Sequence, residues 1–126
     1  LAHDLGGLLA APRLGLPLAI VVLDNGGGGI FDFLPVSGAR DVYEEHVATP
    51  TGLEVERIAA LFGCAYAAPA DPGSLRTALG DALGSPRTTL VHVRTDRAQN
   101  VALHRRCWDA VAQALRQPGP AAAPGA

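Results

Sequence analysis

The chain contains no lysine and no methionine, and it has only two cysteines among its 126 residues. Each absence removes a class of function. Without lysine there is no phosphate-binding P-loop, whose glycine run must end in Lys followed by Ser or Thr. Cys64 and Cys107 share no metal-type or redox spacing and read as buried or incidental thiols. No block of like charges stands out. A net charge of -2 gives no electrostatic reason to expect nucleic acid or an anionic membrane as a partner. No run of about 18 apolar residues is present. Leu1–Ala11 lacks a basic leader and is broken by Pro12, so neither stable membrane insertion nor a signal peptide is expected. The expected compartment is the cytoplasm. With no methionine even at residue 1, and a start inside what reads as a helix, the chain is expected to be an internal or C-terminal piece of a longer protein.

What is present suits one globular domain. The residues are 48% hydrophobic and 17% charged, with a mean hydropathy of +0.20, and part of that apolar surplus is expected to face a partner. Six apolar residues in succession, Leu18 to Leu23, suit a strand covered on both faces, as in a parallel sheet flanked by helices. Downstream, the spacing predicts a helix over Leu53–Phe62, with Thr51 as its cap and Gly63 as its stop. A short strand over Cys64–Ala67 and a helix over Pro72–Leu83 follow. A buried strand over Thr88–Val93 and an amphipathic helix over Asn100–Leu115 close the pattern. The segment Ala39–Ala48 reads as irregular or briefly helical. Residues 117–126, ending in PGPAAAPGA, read as a disordered tail. Strands alternating with helices predict a three-layer α/β/α domain over residues 1–116 with a mainly parallel sheet.

The Leu18–Leu23 run ends in Asp24, Asn25 and four glycines, Gly26 to Gly29, then Ile30, Phe31, Phe33 and Leu34. In parallel sheets, ligands sit at the carboxyl ends of strands, where this loop lies. One reading is a flexible turn with no ligand. A dinucleotide fingerprint is weak, because Ile30 and Phe31 stand where its last glycine belongs. A third reading is a diphosphate held through Mg²⁺, with the Asn25 amide oxygen and a glycine carbonyl as hard ligands. Loop N–H groups and a helix beginning near Ile30 would then face the remaining charge.

The stretch Leu23-Asp24-Asn25-Gly26-Gly27 resembles the second half of the thiamine diphosphate motif. DNGGGGIFDFLP, then ATPTGLEVERIAALFG, then VRTDRAQNVALHRRCWDAV, resembles the C-terminal part of the MenD family, the 2-succinyl-5-enolpyruvyl-6-hydroxy-3-cyclohexene-1-carboxylate (SEPHCHC) synthases. The resemblance implies a thiamine diphosphate-binding fold, incomplete at its N-terminus. It makes Asn25 the side-chain ligand and Gly27 the backbone-carbonyl ligand of Mg²⁺, with Mn²⁺ as a substitute. Asp24, Asn25, Gly26, Gly27, Gly28, Gly29 and Ile30 would border the cofactor, and Ile30, Phe31 and Leu34 the substrate pocket. Asp24 stands where many relatives carry the first Asn of a pair. The family's aspartate ligand would lie about two residues upstream of Leu1, and its activating glutamate on a neighbouring subunit, so no catalytic residue is assigned in this chain. A homodimer or dimer of dimers is implied. So is a transferase of menaquinone biosynthesis, which decarboxylates 2-oxoglutarate and adds the succinyl semialdehyde unit to isochorismate. The alternatives are another thiamine diphosphate-dependent decarboxylase or acetolactate-type synthase, and a non-catalytic α/β binding module.

Other conspicuous residues have plainer readings. His3 and Asp4 fall on the helix after the absent aspartate and suit a supporting role. His92 reads as a satisfied core or interface histidine, and His46 and His104 lack a paired acid. Arg94, Asp96, Arg97, Arg105 and Arg106 form either a grip for an acidic substrate or an exposed face with i,i+4 pairing. Trp108 reads as core or subunit contact, and Leu53, Ile58 and Leu61 as core.

Overall fold

The computed structural model describes residues 1–116, and the expected tail lies outside the described residues. Three parallel strands, β1 (Ala19–Asp24), β2 (Ala65–Ala67) and β3 (Thr89–Arg94), form one sheet in the order β1-β3-β2. Ala19 pairs with Thr89 and Asp24 with Arg94 on one side of β3, and Ala65 with Thr89 on the other. The central strand is enclosed over residues 89–92, with Leu90 and Val91 at 0% exposure.

Helices lie on both faces. α3 (Val55–Leu61) brings Val55, Ile58 and Ala59 onto Leu90 together with Leu8 and Cys64, and Ile20, Val22 and Tyr66 pack around them. α4 (Pro72–Gly84) packs against β3 on the opposite face, where alternation along the strand sends Val91. The fold is therefore α/β with an open parallel sheet between helices, as the alternating pattern predicts.

The element ends have local causes. Gly63, at φ +67, follows α3 and closes it: the Cys64 N–H donates to Ala59 O (2.8 Å) and the Gly63 N–H to Ala60 O (3.1 Å). That pair of bonds needs a left-handed residue, which glycine supplies without a Cβ clash. Asp71 caps α4 by accepting from the Gly73 and Ser74 N–H groups, while the Ser74 hydroxyl takes the Asp71 N–H in return. α5 (Arg97–Arg116) starts three residues before the expected Asn100, because Asp96 accepts from the Gln99 N–H at 2.7 Å and caps it there.

Several expectations are corrected. Leu1–Ala11 is not one α-helix: Ala2–Leu9 is a 3₁₀ segment interrupted at Asp4, and α1 covers only Ala10–Arg13. The Gly6-Gly7 pair weakens helical preference there. Pro12 does not break α1, because it sits in the first turn, where its missing N–H has no partner to lose. Thr51 does not cap α3. Its hydroxyl accepts from the Leu53 N–H, and the helix begins one turn later, after Glu54. Leu53 and Leu61 are exposed at 42% and 78%, leaving Ile58 alone of the three in the core.

Strand β1 is not covered on both faces. It ends the sheet on one side, and α4 touches it too little to bury Val21 (44% exposed) or Leu23 (73%). Trp108 is not core either. It is half exposed on α5 and packs, with His104, against Phe33 at ring-centroid distances of 5.4 Å. No helix among the described residues is long and apolar enough to cross a membrane.

Candidate functional site

The Asp24–Gly29 turn leaves the carboxyl end of β1, as the sheet topology requires of a ligand loop. Two side chains shape it from within. Asp24 Oδ1 accepts from the Gly26 N–H at 2.9 Å, and Asn25 Oδ1 from the Gly27 N–H at 3.2 Å. Gly26 and Gly27 take φ of +75° and +154°, which side-chain-bearing residues rarely adopt.

A second segment fixes the glycines from outside. α2 (Arg40–Tyr43) runs into a π-helical turn over Glu44–Ala48, which ends at Thr49 in the left-handed region (φ 45°). Among the described residues Thr49 is the single non-glycine with positive φ, and local strain of this kind clusters at functional sites. The turn presents the Ala48 carbonyl to the Gly28 N–H at 2.6 Å. A Cβ on Gly27 would stand 2.7 Å from that same oxygen, and one on Gly29 would stand 2.6 Å from Asn25 Nδ2. Gly27 and Gly28 sit where the two backbones touch, while Gly29 makes room for the Asn25 side chain.

Asp24, Gly27 and Gly28 line a cleft of about 330 Å³ with Ala48, Thr49 and His3. Asn25, Gly26 and Gly29 are not among its lining residues, and Asn25 is exposed to solvent beside it. Ile30, Phe31 and Leu34 lie on the outer surface, at 75%, 40% and 49% exposure, and do not border the cleft. The expected helix near Ile30 is a five-residue 3₁₀ turn, Gly29–Phe33, too short to build a substantial helix dipole.

The donor set suits a hard cation. The Gly27 carbonyl accepts one hydrogen bond, from the Gly29 N–H at 2.8 Å, and Asn25 Oδ1 accepts one from Gly27; each oxygen keeps a second lone pair. Both are neutral. Among the described residues no group of three or more His, Cys, Asp or Glu side chains could hold a metal. A divalent ion here would therefore draw negative charge from a phosphate-bearing ligand, the usual arrangement for Mg²⁺.

Asp24 is tied back into the sheet. Its Oδ2 lies 2.9 Å from His92 Nε2, and His92 Nδ1 lies 2.9 Å from the Tyr66 hydroxyl. His92 is 2% exposed, so it is a satisfied core histidine, as its place in a strand predicts. Its two partners were invisible in the sequence, because only the parallel register brings β1, β3 and β2 together on one face. The Gly26 N–H bond, followed by the His92 bond, holds the Asp24 carboxyl below the usual carboxylate range. The sign follows directly. A lowered folded pKa adds stability above the unfolded value of about 3.9, and that stability is lost as pH falls through the folded pKa. Acid-unfolding midpoints below pH 4 should therefore fall with pH less steeply in Asp24→Asn than in the unchanged protein.

The arginine cluster divides. Arg97 reaches Glu44 through Nη2 and faces Asp32 Oδ2 at 3.7 Å through Nε, while Tyr43 donates to Asp32 Oδ1 at 2.5 Å. Burial first, then the bond to Asp32, pushes the Tyr43 phenol up to about 12. Arg97 thus pairs across elements rather than at i,i+4, and it ties α5 to the segment that braces the glycine loop. Asp96 serves as a helix cap. Arg94, Arg105 and Arg106 make no ion pair among the described residues. Cys64 is buried and Cys107 exposed, and neither is paired.

No family model matches the chain. It is 37% identical over 115 residues to the 2-succinyl-5-enolpyruvyl-6-hydroxy-3-cyclohexene-1-carboxylate synthase of Bacillus velezensis. It is 43% identical over 103 residues to the protein of that name from Chlorobium phaeovibrioides, and 39% over 113 residues to that from Geobacillus thermodenitrificans. These matches take in 91%, 82% and 90% of this chain, and 20%, 18% and 19% of the relatives. The chain thus spans about a fifth of the length of the curated relatives it matches. Over that fifth, it belongs to the family of the 2-succinyl-5-enolpyruvyl-6-hydroxy-3-cyclohexene-1-carboxylate synthases.

Proposed function

We propose that the protein carrying this chain is a thiamine diphosphate- and Mg²⁺-dependent transferase of menaquinone biosynthesis. It would decarboxylate 2-oxoglutarate and join the succinyl semialdehyde unit to isochorismate, giving SEPHCHC. Residues 1–116 would form the diphosphate-binding end of its cofactor domain, working in the cytoplasm within a homodimer or dimer of dimers. What supports the reading most is the turn at the carboxyl end of β1, where Asn25 Oδ1 and the Gly27 carbonyl keep free lone pairs beside a cleft. The names of the relatives give the product, and the cofactor, metal and substrates are what the sequence resemblance implies.

When bound, thiamine diphosphate supplies the chemistry that makes loss of CO₂ from a 2-oxo acid accessible, and the protein supplies binding and geometry. Asn25 and Gly27 would hold the metal. Gly26 and Gly28, having no side chains, let phosphate oxygens approach the backbone. Asp24 keeps the turn in shape through both carboxylate oxygens, one accepting from Gly26 and the other paired with His92. Ile30, Phe31 and Leu34, outside the cleft, present exposed apolar surface suited to shielding a substrate from water once neighbouring parts of the protein close over it.

The test is CO₂ release from 2-oxoglutarate by the complete protein with Mg²⁺ and thiamine diphosphate, with and without isochorismate. Release that rises with isochorismate, with SEPHCHC as product, is the expected result; none from a folded protein would remove the reading. Residues 1–126 expressed alone are expected to give no release and no tight cofactor binding, because the proposed ligands Asn25 and Gly27 supply only two neutral oxygens, which hold Mg²⁺ weakly. Turnover by the isolated segment would contradict that.

A further inference from the structure

We infer that Tyr66, His92 and Asp24 form a relay across the sheet that positions the metal-binding turn, with His92 as its central positioning residue. The inference deepens the proposed function and rests on it for the identity of the ligand.

Each strand contributes one member, all on the face that packs against α3. Tyr66 comes from β2, His92 from the enclosed centre of β3, and Asp24 from the last position of β1. The links are 2.9 Å from the Tyr66 hydroxyl to His92 Nδ1, 2.9 Å from His92 Nε2 to Asp24 Oδ2, and 2.9 Å from the Gly26 N–H to Asp24 Oδ1. A carboxylate only accepts, so His92 donates from Nε2. Its Nδ1 then accepts the Tyr66 hydroxyl hydrogen, and a neutral imidazole satisfies every member.

The consequence is directional. Asp24 is also held through its backbone, whose carbonyl accepts from the Thr95 N–H at 2.8 Å. With the main chain fixed there, the remaining freedom is the rotation of the carboxylate, and His92 removes it. The orientation of that carboxylate decides where the Gly26 N–H points, and hence the path of Asn25 and Gly27, whose oxygens face the proposed metal. His92 reaches neither metal nor substrate; it acts on the residue before them, as hydrogen-bonding partners of ligating groups commonly do.

The experiment uses the complete protein and two conservative variants. His92→Leu keeps the bulk and removes both bonds. His92→Gln keeps a donor toward Asp24 and an acceptor toward Tyr66. Hydrogen–deuterium exchange of peptides covering Val22–Phe31, in the ligand-free protein, is expected to accelerate about tenfold or more in His92→Leu, with α4 peptides unchanged and His92→Gln close to the unchanged protein. The Mg²⁺ concentration that half-saturates thiamine diphosphate binding is expected to rise by about 10- to 100-fold in His92→Leu and to recover in His92→Gln.

Equal exchange in the turn for His92→Leu and the unchanged protein overturns the relay. So does damage in His92→Gln as large as in His92→Leu, since volume rather than hydrogen bonding would then matter. Should His92→Leu fail to fold, Tyr66→Phe is read in the same way: faster exchange confined to the turn supports the relay, and no change overturns it. If the unchanged protein binds no thiamine diphosphate while His92→Leu still loosens the turn, the relay stands and the proposed function falls.

Discussion

Asn25→Ala is expected to lower Mg²⁺-dependent CO₂ release by on the order of a hundredfold or more, beyond what loss of a supporting residue behind a metal ligand usually costs. The effect should be confined to the site. Asn25 is exposed and its one hydrogen bond within the turn is long, 3.2 Å to the Gly27 N–H, so its removal leaves no buried group unpaired. Exposed substitutions of this kind usually change stability by no more than about 0.5 kcal/mol. What disappears is one of the two neutral oxygens proposed to hold the cation. Raising Mg²⁺ should restore part of the rate if the other ligands persist. Asn25→Asp, which keeps an oxygen but adds a charge beside the diphosphate, should fall between the two. Activity in Asn25→Ala equal to that of the unchanged protein at every Mg²⁺ concentration would exclude the residue as a ligand.

The largest effect on stability is expected from Arg97→Met. Arg97 begins α5 and is the cation between Asp32 and Glu44, its side chain 21% exposed against 14% for Asp32. One oxygen of Asp32, Oδ2, already lacks a hydrogen-bond donor, so the guanidinium charge is its main compensation. Methionine fills much of the volume but leaves that carboxylate with only the Tyr43 hydroxyl. Breaking a largely buried ion pair from one side costs about 3 kcal/mol or more, and the exposed Glu44 reduces this to about 2–3 kcal/mol. The predicted readout is a lowered unfolding temperature of the complete protein. The double variant Arg97→Met, Asp32→Asn should recover part of the loss, because it removes the orphaned charge. No recovery would locate the role of Arg97 in the Glu44 pair instead.

Much of this was legible in the residues. The alternation of strands and helices was, because buried strands and capped helices leave local marks: Gly63 past the end of α3, Asp71 and Pro72 at the start of α4. The glycine turn was legible too, from four successive glycines after a strand, and at Gly27 the reason is the close approach of the Ala48 carbonyl. What stayed hidden depended on distant partners. Leu18 to Leu23 reads as a strand with two covered faces whether it lies at the centre or the edge of a sheet, since a continuous apolar run carries no information about neighbours. Asp24 and His92 are 68 residues apart and meet only in the β1–β3 register. Arg97 belonged to an apparent surface cluster until the π-helical turn brought Glu44 to it.

Among the described residues no strand pairs with the outer edge of β1, and that bears on how the polypeptide must be handled. A strand that ends a sheet offers unpaired backbone groups to any other chain, and Val21 and Leu23 beside it add exposed apolar surface without a lysine anywhere in the sequence to deter pairing. Nature commonly guards such edges with charge, proline or a bulge; here none interrupts Ala19–Asp24 before the terminal aspartate. Residues 1–116 taken by themselves therefore carry a template for edge-to-edge aggregation, and their solubility depends on whatever covers that strand.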